Sequence, residues 1–586
     1  MSLFKTYAGV GFCIVCFIIK FMKQILLGSI FVILGISVNA ELLPSIPETT
    51  LQIAKEAEII SAFDLPKSEI IKVGIGDNDF KSYDYSNSEF FATGEMKVLS
   101  NNAEIATIPA NKILKINLID DKFELSTEEV IDKLSGPIKI TSKEGVIGIN
   151  GLKRGGSQAL YRGEIELIKS KSGKFHIVNI IEIEEYLKGV VPNEMPVRFG
   201  LEALKAQSVS ARNYALSPRT KAYEAFDVVD SVASQVYFGA NTEKELGTRA
   251  VEETEGIVAL YNWNLILAQY CSTAGGYTES FANAFSDPKT KMFPSVSKPY
   301  LIAKPDMIGQ KPLNLEEEAS KFYKNKPDSY DMKSPYFRWE RTWSKHELQQ
   351  ALQENLPIQS LTGFISPHFN KGDKLDEIVD IKVKRRGESG KIIELEIVTK
   401  TQNITVYKEL VIRRLFKNSG KALPSANLVF ELQKDDDGNI VSVNAFGGGY
   451  GHGVGMSQYG AGFMASELNF TYDKILRHYY TDIVLGTKPV ILSATNNVIR
   501  QNFYTNNKKV NLIIDNKYKL SYFLVNINGK EKQINLSKNF ISRIEKIDIS
   551  NELQKGKNTI IFYYPLDEDK DKGIRLFVEL ENEYNN

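Results

Sequence analysis

From "IIKVGIG" (70 to 76) to "KFHIVNI" (174 to 180), short alternating or β-branched runs are separated by Gly, Asn and Asp. That rhythm predicts strands of a β-rich unit over residues 68–180. The pattern then changes period. In "GVVPNEMPVRFGLEALKAQSVSARNYAL" (189 to 216), Leu201, Leu204, Val209, Ala211 and Ala215 trace one face of a helix expected over 199–216. Ala203 and Ala206 keep its flanks small, so it should pack closely on more than one side. Pro196 suits its first turn or the residue before, and Pro218 should end it. "GIVALYNWNLILAQYCSTAGG" (256 to 276) predicts a hairpin turning at Asn262 to Asn264, followed by a glycine turn. Residues 283–335 are polar and Pro-bearing and read as an elaborated loop. "WSKHELQQAL" (343 to 352) opens a helix with Ser344 as cap and Glu347 three residues later. "IVDIKVKRRGESGKIIELEIVT" (378 to 399) predicts a hairpin about Gly387 to Gly390, and "GGGYGHGVGMSQYGAGFMASE" (447 to 467) a glycine loop entering a helix. Residues 490–586 return to short strands and read as a separate β-sandwich of ordinary domain size. The fold class expected is a multidomain α+β protein, with an α+β core at 181–485.

Composition narrows the class of function. The 586 residues carry no net charge, with 25% charged and 43% hydrophobic positions. Nucleic acid is thereby disfavoured as a partner, because phosphate binding needs a basic surface. From Met22 the chain reads "MKQILLGSIFVILGISVNA": a basic start, an apolar stretch, then small residues up to Ala40. This is the pattern of a secretory signal, complete without residues 1 to 21, so Met22 is a candidate start. Residues 1–40 are read as a leader and 41–67 as a lead-in, which predicts a secreted or extracytoplasmic protein. An uncleaved leader would leave the chain tethered. The competing reading is a membrane anchor, or a hairpin with Ala8 to Ile19, but each run is shorter than the ~20 residues a spanning helix needs. Cys13 and Cys16 lie in the leader, which leaves Cys271 without an internal disulfide partner.

Three places offer chemistry. Glu194 lies between Pro192 and Pro196, whose fixed φ and restricted neighbours stiffen the backbone on both sides. Val190, Val191, Met195 and Phe199 can wall it off from water, which would raise its pKa and keep it protonated as an acid. The alternative is a surface carboxylate stabilised by the dipole of the following helix. The second place is the glycine loop, where His452 stands between Gly451 and Gly453. It is either a substrate-facing donor or a turn histidine satisfied by backbone. No phosphate-binding glycine motif is present. The third is Cys271, a candidate nucleophile with His452 as base, or a small buried residue at a strand end. The histidines at 176, 346, 368, 452 and 478 have no metal-ligand spacing. Trp339 and Trp343 offer faces for stacking on sugars, though core packing explains aromatics more simply.

In that order, "EEYLKGVVPNEMP…LEALKAQSVSARNYAL", "SQVYFG", "YCSTAGGYTES", "FRW" and "GGGYGHGVGMSQYGAGFMA" resemble the SpoIID/LytB family over roughly residues 68–485. The resemblance implies a peptidoglycan lytic transglycosylase with Glu194 as its catalytic glutamate. One carboxyl group then serves as acid and as base, and a 1,6-anhydro-MurNAc end forms without water. Glycosidases that use two carboxyl groups hold them about 5–5.5 Å or 6.5–9.5 Å apart. It also implies a groove lined by Gln207, Arg212, Gln235, Tyr237, Ser272, Gly275, Gly276, Thr278, His452, Gln458 and Tyr459, although Gln207 and Arg212 would equally brace the fold. Peptidoglycan glycan strands are the implied partner. The family also implies an alternative, a non-catalytic enhancer of a cell-wall amidase. Some members hold a structural zinc near a segment ending "HCQVY". Here "FDVVDSVASQVYFG" has neither Cys nor His, so no metal or other cofactor is expected.

Overall fold

The structure, a computed structural model, describes residues 69–217, 223–307, 309–507, 509–537, 543–565 and 572–581. The leader, the lead-in and Pro218 lie outside the described residues. Among those described, no helix is long and apolar enough to cross a membrane.

Strands dominate the first hundred of the described residues. Ile70–Ile75 lies between Val228–Val229 and Phe175–Glu182 in a seven-stranded sheet that continues through Glu164–Lys169, Ile138–Thr141, Met96–Ser100 and Ala103–Ile108. A six-stranded sheet built from residues 87 to 161 accompanies it. Alternate residues such as Ile71, Val73, Phe90, Ile116, Leu125, Ile138 and Ile177 enter one continuous core.

That core extends to the helix Leu201–Leu216, whose residues 203 to 213 are all buried. It packs against Glu245–Glu252, Gln458–Ser466 and Tyr472–Tyr479, which explains its small Ala and Ser positions. The helix starts at Leu201 rather than at Phe199. Gly200 adopts φ +89°, a conformation that interrupts helical geometry and favours glycine. Pro196 instead opens a short 3-10 turn, Val197–Phe199.

A second apolar cluster gathers Trp343, Leu352, Leu356, Ile397, Val406, Ile412 and Val443. The helix Lys345–Ser360 contributes one side of it, begun by the expected capping box of Ser344 and Glu347. Ile378–Arg386 and Ile392–Thr399 pair antiparallel about residues 387 to 390. The strand Ile440–Gly447 pairs with both Trp339–Ser344 and Leu428–Lys434, and runs straight into the glycine loop. The expected loop at 283–335 is largely irregular but contains a helix, Glu316–Tyr323. Asp331 anchors it, accepting from Thr273 Oγ1 (2.5 Å) and from the amide of Gly275 (2.7 Å).

The C-terminal strands are not self-contained, which corrects the expectation of a separate sandwich. Val484–Thr487 pairs on one side with Ile257–Tyr261 and on the other with Gly573–Leu580. Gly573–Leu580 then pairs with Val510–Asp515. A four-stranded sheet of Val498–Thr505, Gly556–Tyr563, Tyr522–Ile527 and Lys530–Asn535 contributes Phe503, Phe523 and Phe562 to the same core as Ile257 and Leu485. Strand periodicity marked these elements correctly, but it does not name a strand's neighbour across the sheet.

Candidate active site

Glu194 closes a single helical turn, Val191–Glu194. The carbonyl of Val190 accepts from the amides of Asn193 (3.0 Å) and Glu194 (2.9 Å), and that of Val191 from the amide of Met195 (3.0 Å). Pro192 falls in the first turn, where no donor is needed. Asn193 Nδ2 ties the turn to Gly189 O and Thr242 Oγ1, each at 2.7 Å. Val190, Val191 and Met195 are fully buried and Phe199 nearly so, giving the expected dry wall. Residues 195 to 200 separate the carboxylate from the long helix. Glu194 sits at the C-terminal end of its own turn, where a helix dipole does not favour an anion.

Three donors converge on the half-buried Glu194 carboxyl. The Val236 amide donates to Oε1 at 2.7 Å, and the Tyr270 hydroxyl and the Gln458 side chain are also hydrogen-bonded to it. Behind Tyr270 stands Gln235, whose Nε2 donates to the Tyr270 hydroxyl at 3.0 Å and to Ala211 O at 3.3 Å. Its Oε1 receives the Tyr186 hydroxyl at 3.1 Å. With its acceptor side filled by Gln235, the Tyr270 hydroxyl is free to donate its proton towards Glu194. Gln458 Nε2 donates to Gln207 Oε1 at 3.2 Å, while the buried Gln207 Nε2 has no hydrogen-bond partner. Parallel pairing of Tyr270–Cys271 with Met456–Ser457 brings the two sides together, and Ser457 caps the helix Gln458–Ser466.

Burial raises the Glu194 pKa, and the three donors, which favour the ionised form, pull it only part of the way back. The net shift is upward. No charged group is among its causes. The arrangement holds a carboxylic acid in fixed orientation and has hydrogen bonds ready for the carboxylate it would leave.

The remaining expected groove residues divide. Gln207, Gln235 and Gln458 join the Glu194 network as supports. Arg212 is buried in a bidentate pair with Glu184 (2.8 and 2.6 Å) and donates to Ile257 O at 2.9 Å, so it braces the fold rather than facing a groove. The Tyr237 hydroxyl is committed to Asn179 Oδ1 at 2.8 Å, and its ring packs on Tyr186. Gly275 (φ +79°) and Gly276 turn about Asp331, and the buried Thr278 exchanges hydrogen bonds with the backbone of Lys304. Ser272 O accepts from the Tyr459 amide at 3.1 Å, and the Tyr459 ring meets Phe199 edge-on. These backbone contacts tie two motifs together.

His452 takes the backbone-satisfied role. Its Nδ1 accepts from the Val454 amide at 3.0 Å, the ring is hydrogen-bonded to the Tyr270 backbone, and Phe285 packs against it. Burial, with Lys391 and Arg413 nearby, pushes its pKa down to about 3. Cys271 is 6% exposed, and burial pushes its thiol up to about 12. A neutral thiol beside so weak a base cannot make the nucleophile pair considered from sequence. Trp339 and Trp343 belong to the second apolar cluster. Tyr270 and the Val236 amide were missed. Tyr270 directly precedes the "CSTAGG" turn, and Val236 is the unremarkable residue inside "SQVYFG" that supplies only backbone.

Residues 171–261, which include Glu194, Gln235 and the long helix, match the family described as SpoIID, Stage II sporulation protein. The chain is 30% identical over 319 residues to Stage II sporulation protein D of Bacillus subtilis (strain 168), across 52% of this chain and 74% of that protein. It belongs to the SpoIID family. The Stage II sporulation protein D of Bacillus amyloliquefaciens is 29% identical over 334 residues, spanning 78% of its length. The amidase enhancer of Bacillus subtilis (strain 168) is 32% identical over 317 residues, and the chain spans only 40% of it. Residues 287–455 match a second family, a domain of unknown function (DUF8618). The SpoIID match thus contains the acid and its Val236 donor, whereas Tyr270 and Gln458 reach the same carboxyl from farther along the chain.

Proposed function

We propose that this SpoIID-family protein is a lytic transglycosylase of peptidoglycan in which Glu194 is the sole acid and base. The observation that carries the reading is the Glu194 carboxyl itself: desolvated, raised in pKa, and surrounded by neutral donors with no second carboxylate among the groups that shift it. Protonated Glu194 gives its proton to the glycosidic oxygen between MurNAc and GlcNAc. The C1–O bond breaks and its electron pair leaves with the GlcNAc oxygen. The MurNAc C6 hydroxyl oxygen then bonds to C1, and its proton returns to Glu194. Atoms and charge balance without water. The Val236 amide, Tyr270 and Gln458 stabilise the carboxylate present between the two transfers. The site of action is extracytoplasmic, on cell-wall glycan strands.

The test compares the protein with Glu194→Gln on intact sacculi and on glycan freed of stem peptides. Mass spectrometry should find 1,6-anhydro-MurNAc ends from the wild type alone, with both proteins equally resistant to thermal unfolding. Reducing ends from the wild type would indicate hydrolysis and overturn the mechanism. Similarity to the amidase enhancer favours a second reading, a wall-bound stimulator of a separate amidase. Under that reading Glu194→Gln would keep full stimulation.

A further inference from the structure

Apart from the Glu194 network, a cavity of about 690 Å³ opens where the glycine loop meets the 339–445 region. That volume suits a small ligand. Tyr336 and Tyr450 line it, 36% and 44% exposed, with ring centroids 4.5 Å apart. Their backbones are held firmly. Gly449 donates to Tyr336 O at 2.8 Å, Tyr450 to Thr273 O at 2.9 Å, and Gly451 to Pro424 O at 3.0 Å. A single exposed aromatic needs no explanation. Two in contact, on two segments braced against each other and lining one cavity, form a platform.

The same cavity is lined by Arg341 and Lys421, and among the described residues no carboxylate lies within ion-pair distance of either. Arg341 Nη1 donates only to the backbone carbonyl of Glu340. A third cation, Arg413, is paired with Glu409 at 3.3 Å. Glu340 supplies one negative charge at the rim, so the two unpaired cations leave the lining positive.

We propose that this cavity is a second saccharide-binding site, specific for an acidic sugar. A pyranose ring has a C–H face that packs on an aromatic ring, and tyrosine offers such a face at low entropic cost. Arg341 and Lys421 then receive the carboxylate. The choice of sugar rests on the peptidoglycan reading above, since the lactyl group of MurNAc is a free carboxylate on strands from which the stem peptides have been removed. The cavity holds a strand that the Glu194 site cleaves, or retains it after cleavage.

Binding is measured in the Glu194→Gln background, so that no substrate is consumed. The probes are peptide-free glycan strands and uncharged GlcNAc oligomers. Replacing both tyrosines (Tyr336→Ala with Tyr450→Ala) should weaken binding of the strands roughly tenfold. Lys421→Glu, at an exposed position, should weaken the strands by a similar factor while leaving the uncharged oligomers unaffected. Unchanged affinity in both variants, or no binding by the Glu194→Gln protein, overturns the proposal. Equal loss for both probes in Lys421→Glu overturns the acidic-sugar assignment. The two readings separate cleanly. Anhydro ends with no effect on binding would sink this site alone, and an effect on binding without anhydro ends would sink the cleavage reading alone.

Discussion

Tyr270→Phe removes one hydroxyl from the acid's surroundings and keeps the ring. Because Tyr270 donates to Glu194, its hydrogen bond stabilises the carboxylate and holds the pKa below what burial alone would set. A hydrogen bond to a charged group is worth about 1.5–3 kcal/mol. Its loss leaves the burial less opposed and raises the Glu194 pKa further. The free enzyme must carry the proton to start the reaction, so activity falls as pH rises through that pKa. The alkaline limb of kcat/KM for anhydro-end formation should therefore move to higher pH. The same change weakens catalysis at the optimum, since the carboxylate formed after proton transfer has lost a donor. It also leaves Gln235 Nε2 with only its longer bond to Ala211 O, so a fall in stability of about 1–3 kcal/mol should accompany it. An alkaline limb that stays in place, in a variant that folds, would refute the claim that Tyr270 tunes the acid. A downward shift would mean that the hydroxyl accepts a proton from Glu194 rather than donating to it.

Arg212→Ala should cost about 3–5 kcal/mol in urea unfolding, because it strands a largely buried Glu184 carboxylate; a loss under about 1 kcal/mol would mean that water reaches the pair. Cys271→Ser should retain anhydro-end formation, and iodoacetamide should label native Cys271 far more slowly than the unfolded thiol; rapid labelling at neutral pH would contradict the raised thiol pKa. His452 takes up a proton near pH 6.5 when unfolded but only near pH 3 when folded, so it contributes to the loss of stability as pH falls between those values. His452→Asn should flatten that part of the stability profile, and an unchanged slope would refute the burial argument.

The buried setting of Glu194 was legible because two prolines and an apolar neighbourhood are local properties, written within the ten residues from Val190 to Phe199. The start of the long helix was misplaced by two residues because the apolar pattern runs through Phe199, while the positive φ of Gly200 depends on how the turn docks. Arg212 illustrates a different limit. A guanidinium on a helix looks the same in sequence whether it meets substrate or a glutamate 28 positions earlier. His452 stayed between two readings in the sequence, because flanking glycines permit both an open loop and the tight turn in which its ring accepts from the Val454 amide. Tyr270 and Val236 could not be found from composition or spacing, since one is an ordinary aromatic and the other acts through its backbone.

The pairing of Val484–Thr487 with Gly573–Leu580 also sets an order in time. A chain emerging from its N-terminus presents the strand at 257–261, and then its partner at 484–487, long before the strand at 573–580 exists. Until then, the far edge of 484–487 exposes unpaired amides and carbonyls, and the apolar residues facing it lack Leu576 and Val578. Arg212 donates to the carbonyl of Ile257 on that same sheet, and its helix contributes Gln207 to the acid's support. The sheet that backs the Glu194 network is therefore completed only by its last strand, and a protein cut short before residue 573 is left with an open edge beside the helix Leu201–Leu216.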